Sequence, residues 1–323
     1  MLSCSTNNKF PLSLRLNTML PFKSLISSKQ LTPEIITQIF HVTDRMATDI
    51  EKSGRTDLLE DKVVALLFFE PSSRTMLSFQ AAATRLKAGT VFAQNASSTS
   101  FEKGESIEDL IQIVAGYSDI IIMRHAQKGS ASIAADVSDV PFINAGDGGN
   151  EHPTQSLIDS YTIYKELGRL DNLNIVFGYD SLHSRSIHSL SKLLAQYPNN
   201  KFTFTGPDAL LPNKEMIDEL EALGVTCVIK SELTSLDGYD IVYVNRLQEE
   251  RFKDKSLFEQ NRRKFRLERD MVEGSKALIL DPLPRIDEIS TDVDPLPNAV
   301  YFKQASYGVP VRMALLAMML GKA

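Results

Sequence analysis

Apolar residues along this chain fall into two rhythms that alternate from end to end. From Thr32 onward, Ile35, Ile36, Ile39, Phe40 and Met46 recur at the spacing of one helix face, and Thr32-Pro33-Glu34 reads as a cap followed by a first turn. Residues 62–69 are an apolar run without alternation, the pattern of a strand buried on both faces of a parallel sheet. A helix is predicted over 75–86, Gly89 punctuates, and a second strand reads through 90–93. A Ser-rich loop (95–104), a helix (105–116), an apolar strand (119–123) and a short strand at 141–145 complete a first β/α alternation.

Residues 153–167 read as a long helix that links two halves. A second alternation then begins with a strand at 173–178, followed by strands near 201–205, 225–229, 240–244 and 277–281, and the chain ends in an apolar helix over 310–323. The expected fold class is α/β, with two domains, each a parallel sheet flanked by helices, and an active site in the interdomain cleft. The expected division is an N-terminal extension (1–20), a first domain (21–155), a second domain (156–305) and a C-terminal helix (306–323) packing back on the first. The 323 residues suffice for two cores of ordinary size.

Charge and cysteine usage narrow the classes. A net charge of -6 gives no hint of a nucleic-acid partner, and the basic run Arg262-Arg263-Lys264 with Arg266 reads as a solvated helix face. Only Cys4 and Cys227 are present, which excludes a disulfide framework and a cysteine-built zinc site and fits a reducing compartment. No apolar run reaches the length needed to cross a bilayer, so no membrane role is expected. Residues 1–33 lack Asp and Glu but carry Lys9, Arg15, Lys23 and Lys29. An extension of a cytoplasmic protein and a short organelle-targeting leader both fit, the first better.

The most informative stretch is Phe68-Phe69-Glu70-Pro71-Ser72-Ser73-Arg74-Thr75-Met76-Leu77-Ser78-Phe79. A buried strand ends and a helix opens on two hydroxyls and a guanidinium, where unpaired N–H groups suit a phosphate dianion. A plain Ser cap with an exposed Arg is the simpler alternative. Farther on come Met123-Arg124-His125 after a strand, and Gly-Asp-Gly-Gly-Asn-Glu-His-Pro-Thr-Gln over 146–155. In the second half Arg185, Arg246 and Arg251 follow strands, where open α/β sheets bind ligands. Arginines paired with Gln248 suit a small dicarboxylate and repel a diamino acid. Asp281-Pro282-Leu283-Pro284-Arg285 is the last motif.

Together these motifs resemble the aspartate/ornithine carbamoyltransferase family over roughly residues 22–321, and Arg-x-Gln-x-Glu-Arg at 246–251 resembles the aspartate branch. The resemblance implies transfer of the carbamoyl group of carbamoyl phosphate to the amine of L-aspartate, an early step of pyrimidine biosynthesis. It implies that Ser72, Ser73, Arg74 and Thr75 hold the phosphate, with Ser100 and Lys103 from a loop of the neighbouring subunit in a homotrimer with shared sites. Arg124 and His152 are implied at the carbonyl oxygen, and Gln155, Leu283 and Pro284 at the carbamoyl group. Arg185 is implied at the α-carboxylate of aspartate, Arg246 and Gln248 at its side chain, and Lys103 and Leu283 at aspartate too. Glu250 is expected to orient an arginine. Neither a metal nor an organic cofactor is expected, and a separate regulatory chain is a possible partner.

Two positions depart from the family pattern. Met76 stands where Arg is frequent, and Asp281 stands where His usually precedes Pro-Leu-Pro. An extra carboxylate there should oppose anionic substrates unless Arg285 or another cation screens it. Two competing readings stay open: carbamoylation of ornithine on the same fold, and a non-catalytic paralogue.

Overall fold

The computed structural model describes residues 19–94, 104–247, 249, 252, 254–262 and 264–323. Helix α1 (Pro33–Ser53) opens as its sequence dictates: the Thr32 side chain accepts from the Ile35 N–H, Pro33 fills the first turn, and Gly54 ends the helix in the left-handed region. The apolar run near 62–69 is strand β2 (Val63–Phe68), and its mid-sheet position explains why it lacks alternation. With β1 (Ser24–Leu25), β3 (Gly89–Gln94), β4 (Ile120–His125) and β5 (Phe142–Asp147) it forms a parallel sheet in the order β1-β5-β4-β2-β3. Leu66 lies in register with Ile122 on one side and Phe92 on the other. Helices α2 (Ser73–Arg85), α3 (Ile107–Ala115) and α4 (Ser130–Val137) accompany this sheet.

Helix α5 (Pro153–Leu167) carries the chain to a second parallel sheet. Its strands are β6 (Asn174–Gly178), β7 (Lys201–Thr205), β8 (Thr226–Lys230), β9 (Ile241–Val244) and β10 (Leu278–Leu280), in the order β10-β9-β6-β7-β8. Helices α6 (Arg185–Leu194), α7 (Lys214–Ala222), α8 (Lys255–Arg262) and α9 (Arg269–Val272) fill the connections. The expected fold class is therefore what the chain adopts.

In each sheet the chain leaves the first long strand in one direction and later returns to its other side. The order reverses between β2 and β4 and again between β6 and β9. Loops at such reversals diverge and leave a crevice at the carboxyl ends of the strands.

The C-terminal helix differs from its expected extent. Helix α10 (Tyr301–Met319) starts well before residue 310 and contains Pro310. A proline removes one helical hydrogen bond and favours a break, but this helix is buried against α1, α2 and α5, and that packing overrides the local preference. Its Met313, Leu315, Leu316 and Met318 join Leu157 and Ile158 of α5 in one apolar core that reaches both sheets. The basic run is also resolved into pairs: Arg262 with Asp287, Lys264 with Glu232 and Arg266 with Glu268. Cys4, Arg263 and residues 1–18 of the expected N-terminal extension lie outside the described residues.

Candidate active site

Helix α2 begins at the β2/β4 reversal, and Ser72 at its N-cap makes no side-chain cap bond. The capping bond of the simpler alternative is thus not formed, although Arg74 is exposed as that alternative expected, and Ser72 and Ser73 line a cleft of about 1220 Å³. Arg74 and Thr75 line the same cleft. Arg124 reaches it from the end of β4, with its side chain only 10% exposed and a hydrogen bond of 3.2 Å to Glu70. The Arg124 Nε is buried with no partner among the described residues. His152 precedes α5; its ring lies 3.4 Å from the Thr75 hydroxyl, and its backbone N–H donates to the Ser189 hydroxyl at 2.8 Å.

The opposite wall comes from the β6/β9 reversal. Asn245, after β9, accepts from the Tyr179 and Asp180 N–H groups (2.8 and 3.1 Å), tying the two strand ends together. Arg185 opens α6 and crosses to the first half, donating to both Glu70 oxygens (2.8 and 3.0 Å) and to the Gly148 carbonyl (2.6 Å). Gly146 makes this crossing possible: at φ +119°, a Cβ there would sit 3.2 Å from the Arg185 guanidinium carbon. Arg246, Leu283 and Pro284 line the cleft as well. Leu283 adopts φ 58°, unusual for a residue with a Cβ, and a cis bond joins it to Pro284.

The same two halves are visible in known proteins. The carbamoyl-P-binding domain model of aspartate/ornithine carbamoyltransferase matches residues 23–165, and the Asp/Orn-binding domain model matches residues 171–319. The chain belongs to the aspartate/ornithine carbamoyltransferase family. It is 43% identical to an aspartate carbamoyltransferase catalytic subunit of Methanocaldococcus jannaschii over 295 residues, covering 91% of this chain and 96% of that one. A catalytic subunit from Thermococcus kodakarensis is 40% identical, with 93% and 97% covered. Among solved structures, the M. jannaschii subunit superposes with a TM-score of 0.87, covering 92% of this chain and 98% of that one at 43% identity. The Trypanosoma cruzi aspartate transcarbamoylase in complex with N-(phosphonacetyl)-L-aspartic acid also gives 0.87, at 35% identity, covering 93% and 96%.

Of the residues that the family resemblance singled out, Ser72, Ser73, Arg74, Thr75, Arg124, His152, Gln155, Arg185, Arg246, Leu283 and Pro284 meet in this one cleft. Ser100, Lys103, Gln248, Glu250 and Arg251 lie outside the described residues. Electrostatically the cleft is built from arginines. Burial and the neighbouring Arg185 push the Arg124 guanidinium down to about 10, and Glu70 opposes them. Burial, then Arg124, Arg185 and Arg312, holds the His152 imidazole well below its ordinary range, so the ring is neutral. Burial alone would raise the Glu70 carboxyl, but Arg185 and Arg124 keep it low. Among the described residues no group of His, Cys, Asp or Glu is placed to hold a metal.

Sequence reading gave no role to Glu70, Asp159, Gln304 or Arg312. Asp159 lies one turn after Gln155 and accepts from Gln155 (2.8 Å), Gln304 (2.6 Å) and the Tyr243 hydroxyl (2.8 Å). Burial pushes its carboxyl up to about 7 against those donors and Arg312. The available signal was polar side chains inside buried helices: Asp159 on α5, and Gln304 and Arg312 on α10. Asp159→Ala strands three donors, two of them buried, so we expect a stability loss of about 3 kcal/mol or more. An unchanged urea midpoint would show that the cluster holds nothing together.

Proposed function

We propose that this chain is an aspartate carbamoyltransferase, forming N-carbamoyl-L-aspartate and phosphate from carbamoyl phosphate and L-aspartate. One observation carries the reading: an anion-ready helix start and two arginines of the second sheet face each other across one cleft, with a neutral His152 at its floor. The α2 N–H groups with Ser72, Ser73, Arg74 and Thr75 take the phosphate. Thr75, Arg124 and His152 surround the carbonyl oxygen, which gains negative charge as the amine attacks. Gln155, with Leu283 and Pro284, orients the carbamoyl group. Arg185 takes the α-carboxylate, and Arg246 with Gln248 takes the side-chain carboxylate. The neutral amine attacks the carbonyl carbon, the bond to phosphate breaks, and the departing phosphate accepts the amine proton.

The division of labour follows the chain: residues 21–155 bind carbamoyl phosphate, 156–305 bind aspartate, and 306–323 brace the first domain. Assembly as a homotrimer, with Ser100 and Lys103 lent to a neighbour's site, is part of the proposal. Exposed Leu77 at the cleft and Phe92 (65% exposed) on edge strand β3, just before the 95–103 segment, support an interface there. A cytoplasmic setting in pyrimidine biosynthesis is proposed as well; no described helix is long and apolar enough to cross a membrane.

N-(Phosphonacetyl)-L-aspartate joins a phosphonate to an aspartate and should fill both subsites at once. Calorimetry should find it binding with one site per chain, and no binding by the folded protein would contradict the proposal. Arg246→Ala should then cost about 2–4 kcal/mol in kcat/KM for aspartate through the lost carboxylate contact. Carbamoyl phosphate affinity should stay within about twofold, since the two subsites do not share this residue. Equal weakening of both substrates would refute the division between the halves.

A further inference from the structure

Asp281, which lines the cleft, and Glu288, which lines a smaller cavity, are two buried carboxyls, each 2% exposed. One oxygen of each is satisfied by backbone. Asp281 Oδ1 accepts from the Leu283 N–H, and Glu288 Oε2 accepts from the Ile286 and Asp287 N–H groups at 3.0 and 2.9 Å. The other two oxygens, Asp281 Oδ2 and Glu288 Oε1, are buried with no partner among the described residues. The side chains lie within hydrogen-bond reach of each other. Two carboxylates this close cannot both stay ionised, and a single shared proton satisfies both open oxygens.

The surroundings decide where that proton sits. Only one backbone N–H supports Asp281, and its other oxygen is buried toward a second carboxyl, so the proton is placed on Asp281. The charged and titratable groups that act on Asp281 from other elements are Arg74 of α2, Arg285 and Tyr243 of β9, and Tyr179 lies near enough to Glu288 to sense its charge. Arg285 acts on Asp281 by charge alone, because its guanidinium is paired with Asp294 and donates to the Tyr301 hydroxyl. We propose that Asp281 is a positioning residue of the carbamoyl-transfer site: protonated, it donates from Oδ2 to Glu288 Oε1 while its Oδ1 fixes the Leu283 peptide. Burial, then the Glu288 charge, raises its carboxyl well above the ordinary aspartate range, which agrees.

Three features of the site follow. Leu283 keeps its left-handed conformation because its N–H is held by Asp281, whose own N–H donates to Gln304 at 3.0 Å. Arg74 faces no opposing charge on Asp281 and remains available to a phosphate. The departure from the family histidine is also explained: a protonated carboxyl, like a neutral imidazole, donates one hydrogen bond and carries no charge.

The inference rests on the proposed function, but its test separates the two. Infrared difference spectra of the full-length protein against Asp281→Asn should show a protonated carboxylic C=O band at pH 7 that the variant lacks, whether or not the enzyme turns over. In kinetics, Asp281→Ala should lower kcat about tenfold, through loss of the Leu283 contact. Asp281→Asn keeps an acceptor for Leu283 and a donor for Glu288, and should recover kcat to within about threefold of the parent. Absence of the protonated band overturns the proposal, as does an Asn variant as impaired as the Ala variant. If Asp281→Ala does not fold, the band and the Asn variant still decide. A parent protein without turnover but with the band would refute the function and leave the carboxyl pair standing.

Discussion

Arg74→Ala is expected to lower kcat/KM for carbamoyl phosphate about a thousandfold in a protein that still folds. Arg74 lies in the first turn of α2, where the helix dipole and its own guanidinium converge on the same point of the cleft. It is exposed and not a core residue, so its removal leaves the packing of Phe79, Ala82 and Ala83 against the sheet intact. On the proposed mechanism, truncation removes a charge-assisted contact to a phosphate whose charge grows as it departs. The loss should therefore appear in kcat as well as in KM. A loss below about tenfold would mean that the phosphate binds elsewhere.

His152→Ala is expected to lower kcat by about two to three orders of magnitude while changing substrate affinity little. The imidazole is buried between Thr75, Thr154 and the arginines, and its proposed role is to donate to an oxygen that becomes fully anionic only in the transition state. The pH dependence follows from the direction of its shift. Its pKa is depressed, so the ring is neutral over the usual assay range and gains a proton only far below pH 6.5. The kcat profile should accordingly show no inflection near pH 6.5. An inflection there that disappears in His152→Ala would mean that the imidazole titrates and acts as an acid or base.

Much of this was legible in the chain. A continuous apolar run marked β2 as a central strand, because burial on both faces leaves no polar alternation. Ser72-Ser73-Arg74-Thr75 and His152-Pro153-Thr154-Gln155 were visible because local backbone, a strand end followed by a helix start, places them. What local pattern could not show were partners distant in sequence. Glu70 joins Arg124 and Arg185 only because the two sheet reversals face each other. Asp159 and Gln304 meet only after α10 folds back across the first half. Pro310 misplaced the start of α10, since a proline's local preference is readable and the tertiary packing that overrides it is not.

The most direct test of the account supplies the folded protein with ¹³C-carbamoyl phosphate and an equimolar mixture of L-aspartate and L-ornithine, followed by NMR. The account predicts that the label appears in N-carbamoyl-L-aspartate, with stoichiometric release of phosphate. Label appearing chiefly in citrulline, or no carbamoylated amino acid at all, would contradict it.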